Sequence, residues 1–277
     1  MTFEFIPSHI NDVLMRATFF SLALLSLVPT SAAAQQAARG LGTPAAVVEA
    51  GIRDGDAAHT SLRPREAYAV FEGLLTEHPG EYDVLWRAAR EAVNLGMLSA
   101  DGTDRAAWYE AAEGYARRAR AADPNGIRGA EWLAIALGRR ALDMGPRARV
   151  RLATEIRAIA EEALSLDSLS AGAHHVLGEW HAEIRRLSGL ERWLARSFLG
   201  GDVFEQASWE EAEVHLLRAT ELEPGGLIHH LGLAQLYLDR GQLDQARDQL
   251  REVLDRPAVE PVDPLHKQAA QDLLRES

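Results

Sequence analysis

The chain has no cysteine among its 277 residues. Disulfide frameworks, thiolate nucleophiles and zinc–cysteine sites are therefore excluded. The compartment stays open, since a thiol-free chain suits a reducing or an oxidising environment equally. Lysine is almost missing: of the 29 basic residues all but Lys267 are arginine. Positive charge is also in short supply overall, with 41 acidic residues and a net charge of −12. Such a surface repels DNA, RNA and anionic lipid, so no nucleic-acid partner is expected. The motifs Gly-x-Ser-x-Gly, Gly-x-x-x-x-Gly-Lys, Gly-x-Gly-x-x-Gly and His-Glu-x-x-His do not occur. With them go the usual nucleophile elbow, phosphate loop, dinucleotide fingerprint and zincin site. Neither enzymatic activity nor a cofactor is expected, and the pairs Glu161-Glu162 and Glu210-Glu211 read as solvated charge on helix faces. Alternating β-branched patterns are lacking too, which leaves an all-α reading.

No apolar run is long enough to span a bilayer comfortably; the longest covers residues 19–28. Arg16 precedes it, and Pro29 and the small-x-small pair Ala32 and Ala34 follow. This is the layout of an export signal, predicted over residues 1–34 with cleavage after Ala34. Glu4 and Asp12 fit that signal poorly, whereas a start at Met15 makes it compact. The expected destination is periplasmic or secreted, with no membrane span after cleavage. Residues 35–43 are rich in small side chains and read as a disordered linker.

What the chain does have is a repeat. A spacing of small and apolar residues at offsets of 4, 3 and 4, ending in a breaker, recurs along the sequence. It appears as Ala67, Phe71, Leu74 and Pro79, then as Ala112, Ala116, Ala119 and Pro124. A weaker copy is Ile156, Ala160, Ala163 and Ser168, and a strong one is Ala212, Leu216, Ala219 and Pro224. The last is Ala246, Leu250 and Val253, with Pro257 one residue early. These offsets keep the side chains on one helical stripe. Small residues let a neighbouring helix approach, and the proline biases its predecessor out of the helix. A partner helix precedes each later copy, marked by Ala88-Ala89, Leu133-Ala134, Leu177-Gly178 and Leu233-Ala234.

The final unit, with Leu233-Ala234, Tyr237, Gly241 and Ala246, resembles a tetratricopeptide repeat, whose period is about 34 residues. The expected architecture over residues 44–277 is an antiparallel helix-pair solenoid. Helices are predicted near 44–56, 64–77, 81–97, 103–122, 127–143, 146–166, 169–186, 190–199, 208–222, 227–240, 242–255 and 263–275. Longer gaps place insertions near 98–104, 143–147 and, most prominently, 186–206. The helix from Asp263 reads as a C-terminal cap.

The stretch from His174 to Ala219 is the most distinctive. It holds His-His-Val-Leu-Gly-Glu-Trp-His, then Leu187-Ser188-Gly189-Leu190-Glu191-Arg192, Phe198-Leu199-Gly200-Gly201 and Ala207-Ser208-Trp209-Glu210-Glu211-Ala212. Together with Leu85-Trp86-Arg87-Ala88-Ala89-Arg90, it resembles the regulator of microtubule dynamics family, in which an insertion of this kind splits a tetratricopeptide helix pair. The resemblance spans most of residues 44–275. It implies a helical adaptor whose eukaryotic members are associated with microtubules, the spindle and organelle contacts. It brings no set of catalytic residues.

Three sets of residues are candidates for function. The first helices of tetratricopeptide pairs line a concave face. The small pairs map this face to Asp83, Trp86, Arg90 and Asn94; then to Arg128, Glu131 and Arg139; then to His175, Glu179 and Glu183; and finally to Gln235 and Asp239. Mixed charge with an aromatic suits a protein or peptide partner. The second set is the inserted helix, with Leu187, Leu190, Leu194 and Phe198 on one face, Trp193 beside it and arginines around it. It is a docking element or packs back over the solenoid. The third is the histidine-rich helix, where His175 and Glu179 stand four apart and could share a metal, while His174 and His181 fall at packing positions. The leading reading is an exported non-enzymatic scaffold. The alternatives are a cytosolic cytoskeleton-associated adaptor, as the resemblance implies, and a metal- or ligand-binding enzyme around His175 and Glu179.

Overall fold

Small residues on one stripe of each second helix decide how closely the helices pack. In the computed structural model, which describes residues 43–189 and 205–277, Ala67, Phe71, Ala112, Ala116, Ala119, Ala160, Ala163, Ala212, Leu216, Ala219, Ala246, Leu250 and Val253 are all fully buried. The stripes predicted from sequence are thus the packing faces.

Among the described residues there are eleven helices and no strand. They run as α1 (Pro44–Thr60), α2 (Pro64–Glu77), α3 (Tyr82–Leu98), α4 (Gly102–Ala122), α5 (Ile127–Leu142), α6 (Pro146–Leu166), α7 (Ala171–Arg186), α8 (Trp209–Leu222), α9 (Leu227–Asp239), α10 (Leu243–Asp255) and α11 (Asp263–Glu276). Each packs on the next in chain order, and α3 on α5, α5 on α7, α7 on α9 and α9 on α11 touch as well. This is the two-layer solenoid pattern, with α1, α3, α5, α7 and α9 forming the inner row. Residues Thr43–Ser277 form one compact unit. None of the described helices is long and apolar enough to cross a membrane.

Local chemistry sets the starts and stops. Thr43, Asp101, Ser170 and Ser208 cap helices with their side-chain oxygens, Ser208 accepting from the Glu211 amide at 3.0 Å. Gly241 turns the chain between α9 and α10 with φ at +72°, a conformation that suits glycine. The insertions expected near 98–104 and 143–147 are not loops. Their extra length lies in α4 and α6, each 21 residues against the 13 of α10. The third insertion falls mostly outside the described residues, as do the predicted signal, most of the linker and the helix near 190–199. The last helix packs on both α9 and α10, with Ala270 in a shared core with Leu227, Ala234, Leu250 and Val253.

A close approach of two helix backbones involves Gly129. A Cβ there would lie 2.8 Å from the Arg120 backbone nitrogen and 3.0 Å from its Cα on α4. Backbone cannot swing aside as a side chain does. Gly129→Ala is therefore expected to lose about 1–3 kcal/mol despite alanine's better helix propensity. Urea denaturation checks this, and an unchanged midpoint would refute the close packing of α4 and α5.

Candidate functional site

The inner row carries the residues expected to bind a partner, and the structure sorts them into two groups. At the amino-terminal end the polar side chains are engaged with one another. Trp86 Nε1 donates to Asp83 at 3.1 Å, and the indole carries Arg87, Arg90 and Arg128 at 4.0, 5.5 and 5.8 Å from its centre. Arg90 reaches Glu91 at 2.6 Å and Asp56 on α1 at 3.2 Å. Asn94, expected on an open face, is buried and donates to Glu91. Glu131 is buried as well, and Arg128 donates to it at 2.9 Å. Burial raises the Glu131 carboxyl above its ordinary pKa, an effect that Arg128 opposes.

Glu91 is the centre of this group and has no exposed surface. His59, at the end of α1, lies 2.8 Å from it through Nδ1. The other ring nitrogen of His59 lies 3.2 Å from Glu260, in the loop between α10 and α11. That loop is braced by Asp263, which accepts from the Val259 and Glu260 amides at 2.8 Å. The first described helix is thus tied to the last interhelical loop. Burial alone would lower the His59 pKa, but hydrogen bonds to Glu260 and Glu91 outweigh it and push the imidazole up to about 9.

The second group lines a cavity of about 590 Å³ bounded by α5, α6, α7, α9 and α11. Arg139, His175, Glu179, Glu183 and Gln235 all face it. Ile135, Val176, Trp180, Ile228, Leu231 and Leu273 supply apolar walls. Ligand sites commonly have this size and this mix of apolar wall with a few placed polar groups. Arg186 ties Glu179, Glu183 and Asp239 together at 3.4, 2.6 and 2.6 Å. Burial raises the Glu179 pKa and holds His175 well below the usual imidazole value, so His175 is neutral at neutral pH. Its ring stands 5.1 Å from that of His229. Arg139 differs from the rest: it has no hydrogen-bond or ion-pair partner among the described residues, and desolvation pushes its guanidinium pKa down. Arg149 points a buried Nε at the same space without a partner.

The sequence reading missed several cavity residues. Arg149 sits on a second helix, a row not considered for ligand contact. Leu273 and Asp272 belong to the predicted cap, and only the curl of the solenoid brings α11 opposite α5 and α7. Trp180 was visible as a lone aromatic on the histidine-rich helix; its indole donates to the Ala153 carbonyl at 2.7 Å. The docking residues Leu190, Trp193 and Phe198 lie outside the described residues.

The remaining histidines pack. His181 is buried, and its ring stacks on that of His215 with centres 5.9 Å apart. His174 and His215 place their Nδ1 atoms 2.9 Å apart across α7 and α8. Among the described residues no three His, Asp or Glu side chains come together to hold a metal ion, so the pair His175 and Glu179 gains no third ligand there.

A family model for regulator of microtubule dynamics protein 1-3 matches residues 52–277. The chain belongs to that family. The match takes in the cavity, the polar cluster and the cap. Regulator of microtubule dynamics protein 3 from Bos taurus is 23% identical over 214 residues, covering 76% of this chain and 44% of the relative. The protein of the same name from Rattus norvegicus is 22% identical over 178 residues, covering 64% and 37%. The chain thus spans under half the length of these curated relatives. Among solved structures, a thermophilic TPR protein from Thermus thermophilus superposes with a TM-score of 0.57 at 21% identity, covering 82% of this chain and 98% of that one. This likeness establishes the tetratricopeptide-type helical fold, and the family places it among the regulator of microtubule dynamics proteins.

Proposed function

We propose that this chain is an exported, non-enzymatic scaffold that holds a protein or peptide partner in the cavity of its inner row. The cavity carries the reading. Asp83, Trp86, Arg90, Asn94, Arg128 and Glu131 spend their polar groups on internal pairing, whereas Arg139, His175, Glu179, Glu183 and Gln235 surround space that a ligand can enter. Export rests on the apolar run at 19–28 and the Ala32 and Ala34 pair. The names of the relatives speak of microtubule regulation in those proteins. An exported chain would not meet microtubules, so the shared property is the helical scaffold and not the partner.

One experiment tests both halves of this reading. A photo-crosslinking residue replaces Gln235 in the cavity or, as a control, the exposed Val214 on α8. Host cells are irradiated and fractionated, and intact masses are read. The expected result is a chain starting at Gln35 in the exported fraction, with one partner joined at 235 and not at 214. A full-length chain in the cytosol refutes export. Equal labelling from both positions refutes the cavity as the binding surface.

A further inference from the structure

Arg139 is a cation placed where a cation is costly. It lies in the interior of the molecule on α5, lines the cavity, and has no anion or hydrogen-bond acceptor within reach among the described residues. A buried charge is ordinarily paired, and one left alone costs stability. Every neighbouring acid is committed elsewhere or too far away. Glu179 and Glu183 are held by Arg186, and Arg186 is held in turn by Asp239. Nor does the Arg149 Nε, also buried, find a partner. Two adjacent helices therefore present unused guanidinium donors to one apolar space, while no surplus carboxylate of the chain answers them.

The outer lining has the opposite sign. Glu276 is exposed and Asp272 partly so, both on α11. Charge thus runs from positive inside to negative at the edge, across walls formed by Ile135, Trp180 and Leu231. A fitting ligand has an anionic end, an apolar body and a neutral or basic remainder that bears hydrogen-bond donors. The free carboxyl terminus of a peptide with bulky apolar last residues meets all three demands. Its α-carboxylate suits the planar fork of an arginine. Its backbone amides can donate to Glu183 and Gln235, and basic residues upstream complement the acidic edge. A fatty acid offers the anion and the apolar body but nothing for the acidic edge, and it must approach a chain of net charge −12.

We infer that the cavity captures the carboxyl-terminal end of a partner polypeptide, with the terminal carboxylate on Arg139 and the last apolar side chains against the walls of α5, α7 and α9. This rests on the proposed partner-binding reading and narrows it to a terminus. Capture of a chain terminus through its charged end is an established mode of peptide recognition. It also accounts for a lone interior guanidinium being kept, since binding sites commonly sacrifice stability to be ready for their ligand.

The probe is a pool of fluorescein-labelled tetrapeptides, Lys-Gly-X-X, in which each X is Leu, Ile, Val or Phe. One pool has free carboxylates and its twin is amidated. Binding to the full chain is followed by fluorescence polarisation, with Arg139→Met and Arg139→Gln as variants and thermal melting as the check on folding. The free-acid pool is expected to bind, with amidation and either substitution each weakening it by roughly 30-fold or more. Because an unpaired buried charge is removed, Arg139→Met should melt no lower than the parent. If amidated and free pools bind equally, or if both variants keep full affinity, the terminus inference is wrong while peptide binding in the cavity stands. Binding of dodecanoate but not of either pool would also overturn it, in favour of a lipid. If nothing binds, the inference fails, and cross-linking from position 235 then decides independently whether the cavity contacts a partner at all.

Discussion

Glu91→Ala is expected to destabilise the fold by about 3–5 kcal/mol, the cost of stranding buried cations. The carboxylate has no exposed surface, and it faces His59 at 2.8 Å and Arg90 at 2.6 Å while accepting from Asn94. Alanine removes the negative charge and leaves both cations and an amide in a space that water enters poorly. Arg90 retains Asp56, but that acid is more than a third exposed and compensates little. Asp56→Ala, by comparison, should cost about 1 kcal/mol or less for the same reason. Chemical denaturation of both variants checks the ordering. A loss below about 1 kcal/mol for Glu91→Ala would mean that the cluster is wetter or looser than its geometry, because buried pairs lose far more than exposed ones.

The second large effect is on pH. His181 is buried against His215 and near Arg157, and desolvation, then those charges, lowers its pKa from 6.5 to about 4. His174 and His215 are lowered as well, chiefly by burial. These imidazoles stay neutral in the folded chain while the unfolded chain takes up protons below 6.5. Stability is therefore lost as pH falls from 6.5 towards 4, by roughly 3 kcal/mol for His181 alone. His59 acts on the other side. Its pKa is raised to about 9, so its contribution is complete below 6.5 and disappears as pH rises through 9. Stability should peak near neutrality and fall on both limbs. Urea midpoints measured from pH 4.5 to 9.5 test this, with His181→Asn expected to flatten the acid limb and His59→Gln the alkaline one. A single flat profile in the parent would contradict both assignments.

Helix positions were legible because the signals were local. Ala212, Leu216 and Ala219 lie on one stripe and are closed by Pro224, and proline and capping serines punctuate the rest. The boundaries of α2 and α6 match the sequence reading residue for residue. Gaps in the repeat were harder to place, since nothing in residues 98–104 or 143–147 distinguishes an inserted loop from a longer helix that starts earlier. The site was legible only in part. Periodicity assigned Arg139, His175, Glu179 and Gln235 to the inner row, and they do line the cavity. The same periodicity assigned Asn94 and Glu131 there too, yet both are buried. Whether an inner residue faces open space or a partner of its own depends on the curl of the solenoid, which sums small rotations between many pairs. Contacts such as His59 with Glu260, two hundred residues apart, follow from that sum and from no local pattern.

That long contact changes how the molecule comes apart. A linear stack couples each unit only to its neighbours, so its ends fray first and its middle opens last. Joining the first helix to the final loop removes the free ends from this scheme. Opening α1 then costs the Glu260 bridge as well as the contact with α2, and releasing the last loop exposes His59 at the opposite end. Unfolding of the two extremes is linked, and the chain behaves less like a zipper and more like a clasped ring.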